Sequence, residues 1–88
     1  MEINYSEKAV KQLKLICKGD RKSGKMIIDS VEHYAAHPSG KFDIKILKGA
    51  YGEFKRLRIG NYRIIFEDSG KIMQIYEIIH RQEAYRGL

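Results

Sequence analysis

Eighty-eight residues, 43% of them hydrophobic and 32% charged, suffice for one modest core but not two, and exclude a wholly disordered chain. The formal net charge of +6 points to a polyanionic partner: nucleic acid, ribosome or an acidic protein. A lone cysteine, Cys17, excludes an intramolecular disulfide, and no apolar run reaches the roughly 18 residues of a membrane span, so a soluble cytoplasmic protein is expected.

Ile3 and Tyr5 open the chain as a short edge strand with alternate side chains inward. Ser6 has the chemistry of a helix N-cap, with Glu7 in the first turn where the macrodipole favours an acid. Ala9, Val10, Leu13, Ile16 and Cys17 then recur at helical spacing and predict a helix near residues 6–18. Cys17 lies on that stripe, which makes it a small core residue rather than a nucleophile. Gly19-Asp20 stops this helix, and a second is expected near residues 22–36, with Ile27, Ile28, Val31, Tyr34 and Ala35 on its apolar face. His33 falls outside the stripe and reads as solvated. His37-Pro38-Ser39-Gly40 ends the second helix, because the residue before a proline is pushed out of the α region.

From Phe42 onward the period changes to two. Phe42 to Leu47 alternates Ile44 and Ile46 with Lys45 and Leu47, and a turn runs from Lys48 to Gly52. Phe54 to Glu67 follows as a hairpin through Gly60-Asn61. Alternation sends Leu57 and Ile59 to one face and Phe54, Arg56 and Arg58 to the other; Tyr62, Ile64 and Phe66 oppose Arg63, Ile65 and Glu67. After a turn at Asp68–Lys71, Ile72 to Ile79 is the most apolar strand and is expected at the centre of the sheet. The expected fold is α+β in the order β-α-α-β-β-β, a single domain over residues 1–88 whose two helices pack through Val10, Leu13, Ile27 and Val31 on one face of a mainly antiparallel sheet.

No glycine-rich phosphate loop, nucleophile elbow or metal-ligand spacing is present, so neither cofactor nor metal is expected. What stands out is cationic: Lys55, Arg56, Arg58 and Arg63 on the hairpin, with His80, Arg81 and Tyr85 beyond the last strand. Guanidinium forks bind phosphate bidentately, and an aromatic ring stacks on an unpaired base. The set suits metal-free RNA cleavage, in which the ribose 2′-OH loses its proton, the phosphorane's charge is stabilised and the 5′-oxygen is protonated. A solvated basic strand face is the plain alternative.

Leu47-Lys48-Gly49, the run RLRIGNYRIIFE from Arg56 to Glu67 and HRQEAY from His80 to Tyr85 resemble the RelE/ParE superfamily of bacterial and archaeal toxins. The His-Arg-x-Glu-x-Tyr ending is more similar to the RelE branch, whose members cleave mRNA in the ribosomal A site, than to ParE relatives, which poison DNA gyrase. The resemblance implies that Arg56 and Arg58 occupy basic strand positions, that Arg63 contacts phosphate, and that Arg81 and Tyr85 are the C-terminal arginine and tyrosine. It also implies a lysine general base where this chain has Arg56, and a further basic residue where it has Phe54. Arginine stays protonated and is a poor base, and Lys55 replaces it only if a bulge turns that side chain over. His80 adjoins Arg81 but points to the other side of a continued strand, so a capping role competes with RNA contact; Lys48 is a solvated charge or a contact to ribosomal RNA. The partners implied are a cognate antitoxin, the ribosome and mRNA. A gyrase inhibitor and a catalytically silent antitoxin- or RNA-binding relative are the alternatives.

Overall fold

A short strand, β1 (Glu2–Tyr5), leads into two helices, α1 (Glu7–Gly19) and α2 (Arg21–Ala36), and four strands follow: β2 (Ile44–Gly49), β3 (Gly52–Ile59), β4 (Tyr62–Asp68) and β5 (Ile72–His80). The computed structural model describes residues 1–49 and 52–81. Each C-terminal stretch with strand alternation is a separate strand, so the order ends in four strands rather than the three expected. The sheet runs β1-β5-β4-β3-β2. The helices carry the chain from one edge strand to the other, and an antiparallel meander brings it back until β5 lies parallel to β1. The sheet is thus mainly antiparallel, as expected. Its centre is β4 rather than β5; β5 is as apolar as it is because it is flanked on both sides and packed beneath α1.

The two helices are antiparallel and joined by one residue. Asp20 ends α1 by donating its backbone N–H to Ile16 O (2.7 Å), and starts α2 by accepting from Ser23 N (3.1 Å) and Ser23 Oγ (2.6 Å). These bonds, the Ser23 hydroxyl first, hold its carboxyl below the usual range. Such a tight joint forces close approach. A Cβ on Gly24 would lie 2.4 Å from Cys17 Sγ and 3.0 Å from Cys17 Cα. Gly24→Ala should therefore cost about 1–3 kcal/mol in urea unfolding, as overpacked sites do. Adding Cys17→Ala should recover part of the loss, since it removes Sγ but leaves the backbone contact.

Among the described residues, the buried strand side chains face the helices: Leu57 and Ile59 of β3, Ile64 and Phe66 of β4, Met73, Ile75 and Ile78 of β5. Ile27, Val31, Tyr34 and Ala35 of α2 and Ala9 of α1 close the core over them. Leu13 packs at its margin, and Val10, expected in the core, is half-buried, because α1 is the outer helix over β5 while α2 lies over the middle of the sheet. His33 is exposed, as expected, although its ring lies 5.5 Å from that of Phe42.

Beyond Tyr5 the edge strand ends and α1 takes over its hydrogen bonding. Ser6 caps α1 through Ala9 N (3.0 Å) and donates its hydroxyl to Tyr76 O (2.7 Å), while Gln12 Oε1 accepts from Ile78 N (2.7 Å). The β4–β5 register slips at this point: Phe66 faces Ile75 but Ile65 faces Glu77, leaving Tyr76 as a bulged extra residue. The bulge explains why burial in β5 changes phase between Ile75 and Ile78. In the β3–β4 turn Gly60 has φ +57°, and Asn61 keeps a negative φ, the pattern of a two-residue turn with glycine first.

Candidate functional site

The helices cover one face of the sheet. On the other, Arg56 and Arg58 of β3 stand beside Arg63 of β4, with Arg58 and Arg63 directly opposite in the register. Two guanidinium stems whose Cβ atoms are about 4.5–5.5 Å apart repel, and an anion lying between them offsets that cost. Lys45 of β2 is the register partner of Arg56 and adds a fourth cation to the same face. Sequence alternation places Lys45 outward but says nothing about its cross-strand neighbour; only the sheet register brings it to Arg56.

Arg56 is largely enclosed, with 17% of its side chain exposed. Its guanidinium lies 3.3 Å from Asp43 Oδ1, on the segment before β2, while Nε is buried and makes no hydrogen bond to the described residues. Asp43 also accepts Arg58 N through its backbone oxygen (3.0 Å), so one loop residue orients two successive basic positions. Arg56 is therefore held in place, and Arg58 is exposed.

Arg81 follows β5 directly, and its backbone N–H donates to Asn61 O at 2.6 Å. That bond fixes its Cα beside the β3–β4 turn, at the end of the sheet that carries Arg58 and Arg63. His80 departs from this group. It is the register partner of Tyr62, the rings meeting edge to face at 5.0 Å, and it borders a groove with Gln12, Leu15 and Ile16 of α1. It lies on the helix side, as strand alternation predicts.

Lys55 is likewise on the helix side. Its ammonium sits 3.1 and 3.2 Å from the two oxygens of Asp68, whose carboxylate also accepts the Tyr34 hydroxyl at 2.6 Å. Burial first, then the bond to Asp68, pushes the Tyr34 hydroxyl well above the usual phenol range, so it stays a neutral donor. β3 runs in unbroken register with both neighbours, and the bulge that would turn Lys55 to the basic face falls in β5 instead. The structure therefore separates Lys55 from Arg56, Arg58 and Arg63 and gives it an ion pair that ties β3 to β4 beneath α2. Lys48 lies toward the far end of β2, opposite Glu53. Tyr85 lies outside the described residues.

Among the described residues no cluster of histidine, cysteine and carboxylate has the makings of a metal site, and no helix is long and apolar enough to cross a membrane. What the uncovered face offers is a rigid row of guanidinium donors, a surface for phosphate.

Comparison with known proteins identifies the family to which this fold belongs. A family model described as ParE toxin of type II toxin-antitoxin system, parDE, matches residues 3–85. Toxin RelE3 of Methanocaldococcus jannaschii is 34% identical over 85 residues, which cover 97% of this chain and 96% of the relative. The crystal structure of a RelB-RelE antitoxin-toxin complex from Methanococcus jannaschii holds a chain 32% identical, aligned over 97% of this chain and 98% of that one with a TM-score of 0.67. A YoeB dimer from Staphylococcus aureus, 19% identical over 88% of this chain and 92% of its own, shares the fold with a TM-score of 0.74. The chain belongs to the RelE/ParE superfamily and is a toxin of a type II toxin–antitoxin system.

Proposed function

We propose that residues 1–88 act as one RelE-like toxin domain that cleaves mRNA on the ribosome in the cytoplasm, without a cofactor, and so stops translation. The observation that carries this reading is the gathering of Arg56, Arg58 and Arg63 on the uncovered sheet face with Arg81 at the same end. In the reaction the 2′-oxygen attacks the adjacent phosphorus, the P–O5′ bond breaks, and the proton lost from the 2′-OH is matched by one gained at the 5′-oxygen. The 5′ fragment ends in a 2′,3′-cyclic phosphate. Arg63 and Arg81 bind the non-bridging oxygens and stabilise the charge that grows on them in the phosphorane. Arg56, clamped by Asp43, and Arg58 hold the neighbouring phosphates in register, and Tyr85 stacks on a splayed base.

Lys55 serves the fold in this reading. Lys55→Met keeps the aliphatic stem but takes the cation from the mostly buried Asp68 carboxylate, which retains the Tyr34 hydroxyl, so stability should fall by about 1–3 kcal/mol. The folded fraction should cleave within a few-fold of the parent in single-turnover assays on programmed ribosomes. A loss of a hundredfold or more with the fold intact would restore Lys55 as the base.

A cognate antitoxin is the expected partner, since the similar RelE chain was crystallised with RelB. An acidic, flexible segment laid on the basic face would neutralise it and block RNA together. The match to a model described as a ParE toxin favours a second reading, inhibition of DNA gyrase. Induced expression separates the two. Primer extension should reveal cuts inside translated codons; growth arrest with intact mRNA and trapped gyrase–DNA complexes would replace the ribonuclease reading.

A further inference from the structure

The uncovered face also carries aromatic surface that the arginine chemistry leaves unused. Phe54 stands on the same side of β3 as Arg56, two residues and so about 7 Å away. Its ring meets that of Tyr76 at 5.5 Å and 74°. Tyr76 is the bulged residue of β5, and its hydroxyl donates to Glu67 at 2.9 Å from the intervening strand. Three features thus meet on one spot: a bulge that turns a tyrosine outward, a carboxylate that anchors its hydroxyl, and a phenylalanine that supports its ring. Tyr76 remains 39% exposed. Two rings set nearly at right angles form a corner, one wall of which a planar base can stack on while its edge meets the other. The corner continues the row formed by Lys45, Arg56, Arg58 and Arg63, so a strand with its phosphates on the arginines brings a base to the rings.

Resting on the ribonuclease reading, the geometry points to Phe54 and Tyr76 as a base-stacking platform that positions a nucleotide neighbouring the scissile phosphate. Charge complementarity selects the occupant: the aromatic corner, in which the Glu67 carboxylate is engaged by the Tyr76 hydroxyl, adjoins a cationic row, as single-stranded nucleic acid requires.

The test is single-turnover cleavage on mRNA-programmed ribosomes with Phe54→Leu, Tyr76→Leu and Tyr76→Phe. The substrates are intact mRNA and mRNAs bearing one abasic nucleotide, moved in turn through the positions around the cut. Loss of a stacked base contact should slow Phe54→Leu and Tyr76→Leu on intact mRNA by about five- to a hundredfold. At one abasic position the parent should slow to the same level, and the leucine variants should add nothing further. Tyr76→Phe keeps the ring but loses the bond to Glu67, so it should recover most of the rate that Tyr76→Leu loses; no recovery would contradict stacking on the ring. Unchanged cleavage by both leucine variants would overturn the platform, as would an equal defect at every abasic position. Normal cleavage with lost antitoxin binding would also overturn it, and would give the corner to the protein partner. If the parent cleaves no substrate, the ribonuclease reading fails before the platform is reached.

Discussion

Arg63→Ala should lower single-turnover cleavage of ribosome-bound mRNA by a hundredfold or more, and Arg81→Ala should do the same, with both variants unfolding at the parent's denaturant midpoint. A preorganised donor aimed at charge that develops in the transition state contributes about 3 kcal/mol, and neither guanidinium belongs to the buried core. Arg63→Lys is the informative control. It keeps the charge but loses the bidentate fork, so it should recover only part of the rate. If Arg63→Ala cleaves normally, the basic face is not the reactive one.

The second large effect is on stability. Phe66 is fully buried on the central strand and meets Tyr34 edge to face at 5.1 Å, and Tyr34 in turn meets Phe42 edge to face at 5.2 Å. Phe66→Ala should cost about 3–5 kcal/mol, much of the 5–15 kcal/mol that holds a domain together. The loss should exceed that of Leu13→Ala, because Leu13 packs only against the core's margin. Urea titration of the two variants checks the order, and equal losses would contradict the placement of the core under α2.

How much of this was legible in the chain can be judged residue by residue. Period-two alternation correctly sent Arg56 and Arg58 away from Leu57, and it sent Lys55 toward the helices before its partner Asp68 was visible. Ser6 was recognisable as a cap because the N-cap's requirement is local. Its second bond, to Tyr76 O, was not, since it joins residues 70 positions apart. Cross-strand register is long-range in the same way, and it alone pairs Lys45 with Arg56 and Arg58 with Arg63. The bulge at Tyr76 defeats alternation outright: a strict period of two from Met73 and Ile75 would place Glu77 inward, whereas Ile78 is the buried residue. Apolarity likewise reports burial and not strand order: it marks β5 as an interior strand, while only the pairing puts β4 in the middle.

The claim that the basic face cleaves RNA through its own ribose is tested most directly by one substitution in the substrate. Programmed ribosomes should carry two mRNAs that differ only at the nucleotide 5′ to the cut, one with its 2′-hydroxyl and one 2′-deoxy. With the purified toxin, the first should be cut to a product ending in a 2′,3′-cyclic phosphate and the second should remain whole. Equal cleavage of both would contradict 2′-OH attack, and cleavage of neither would contradict the assignment as a ribonuclease.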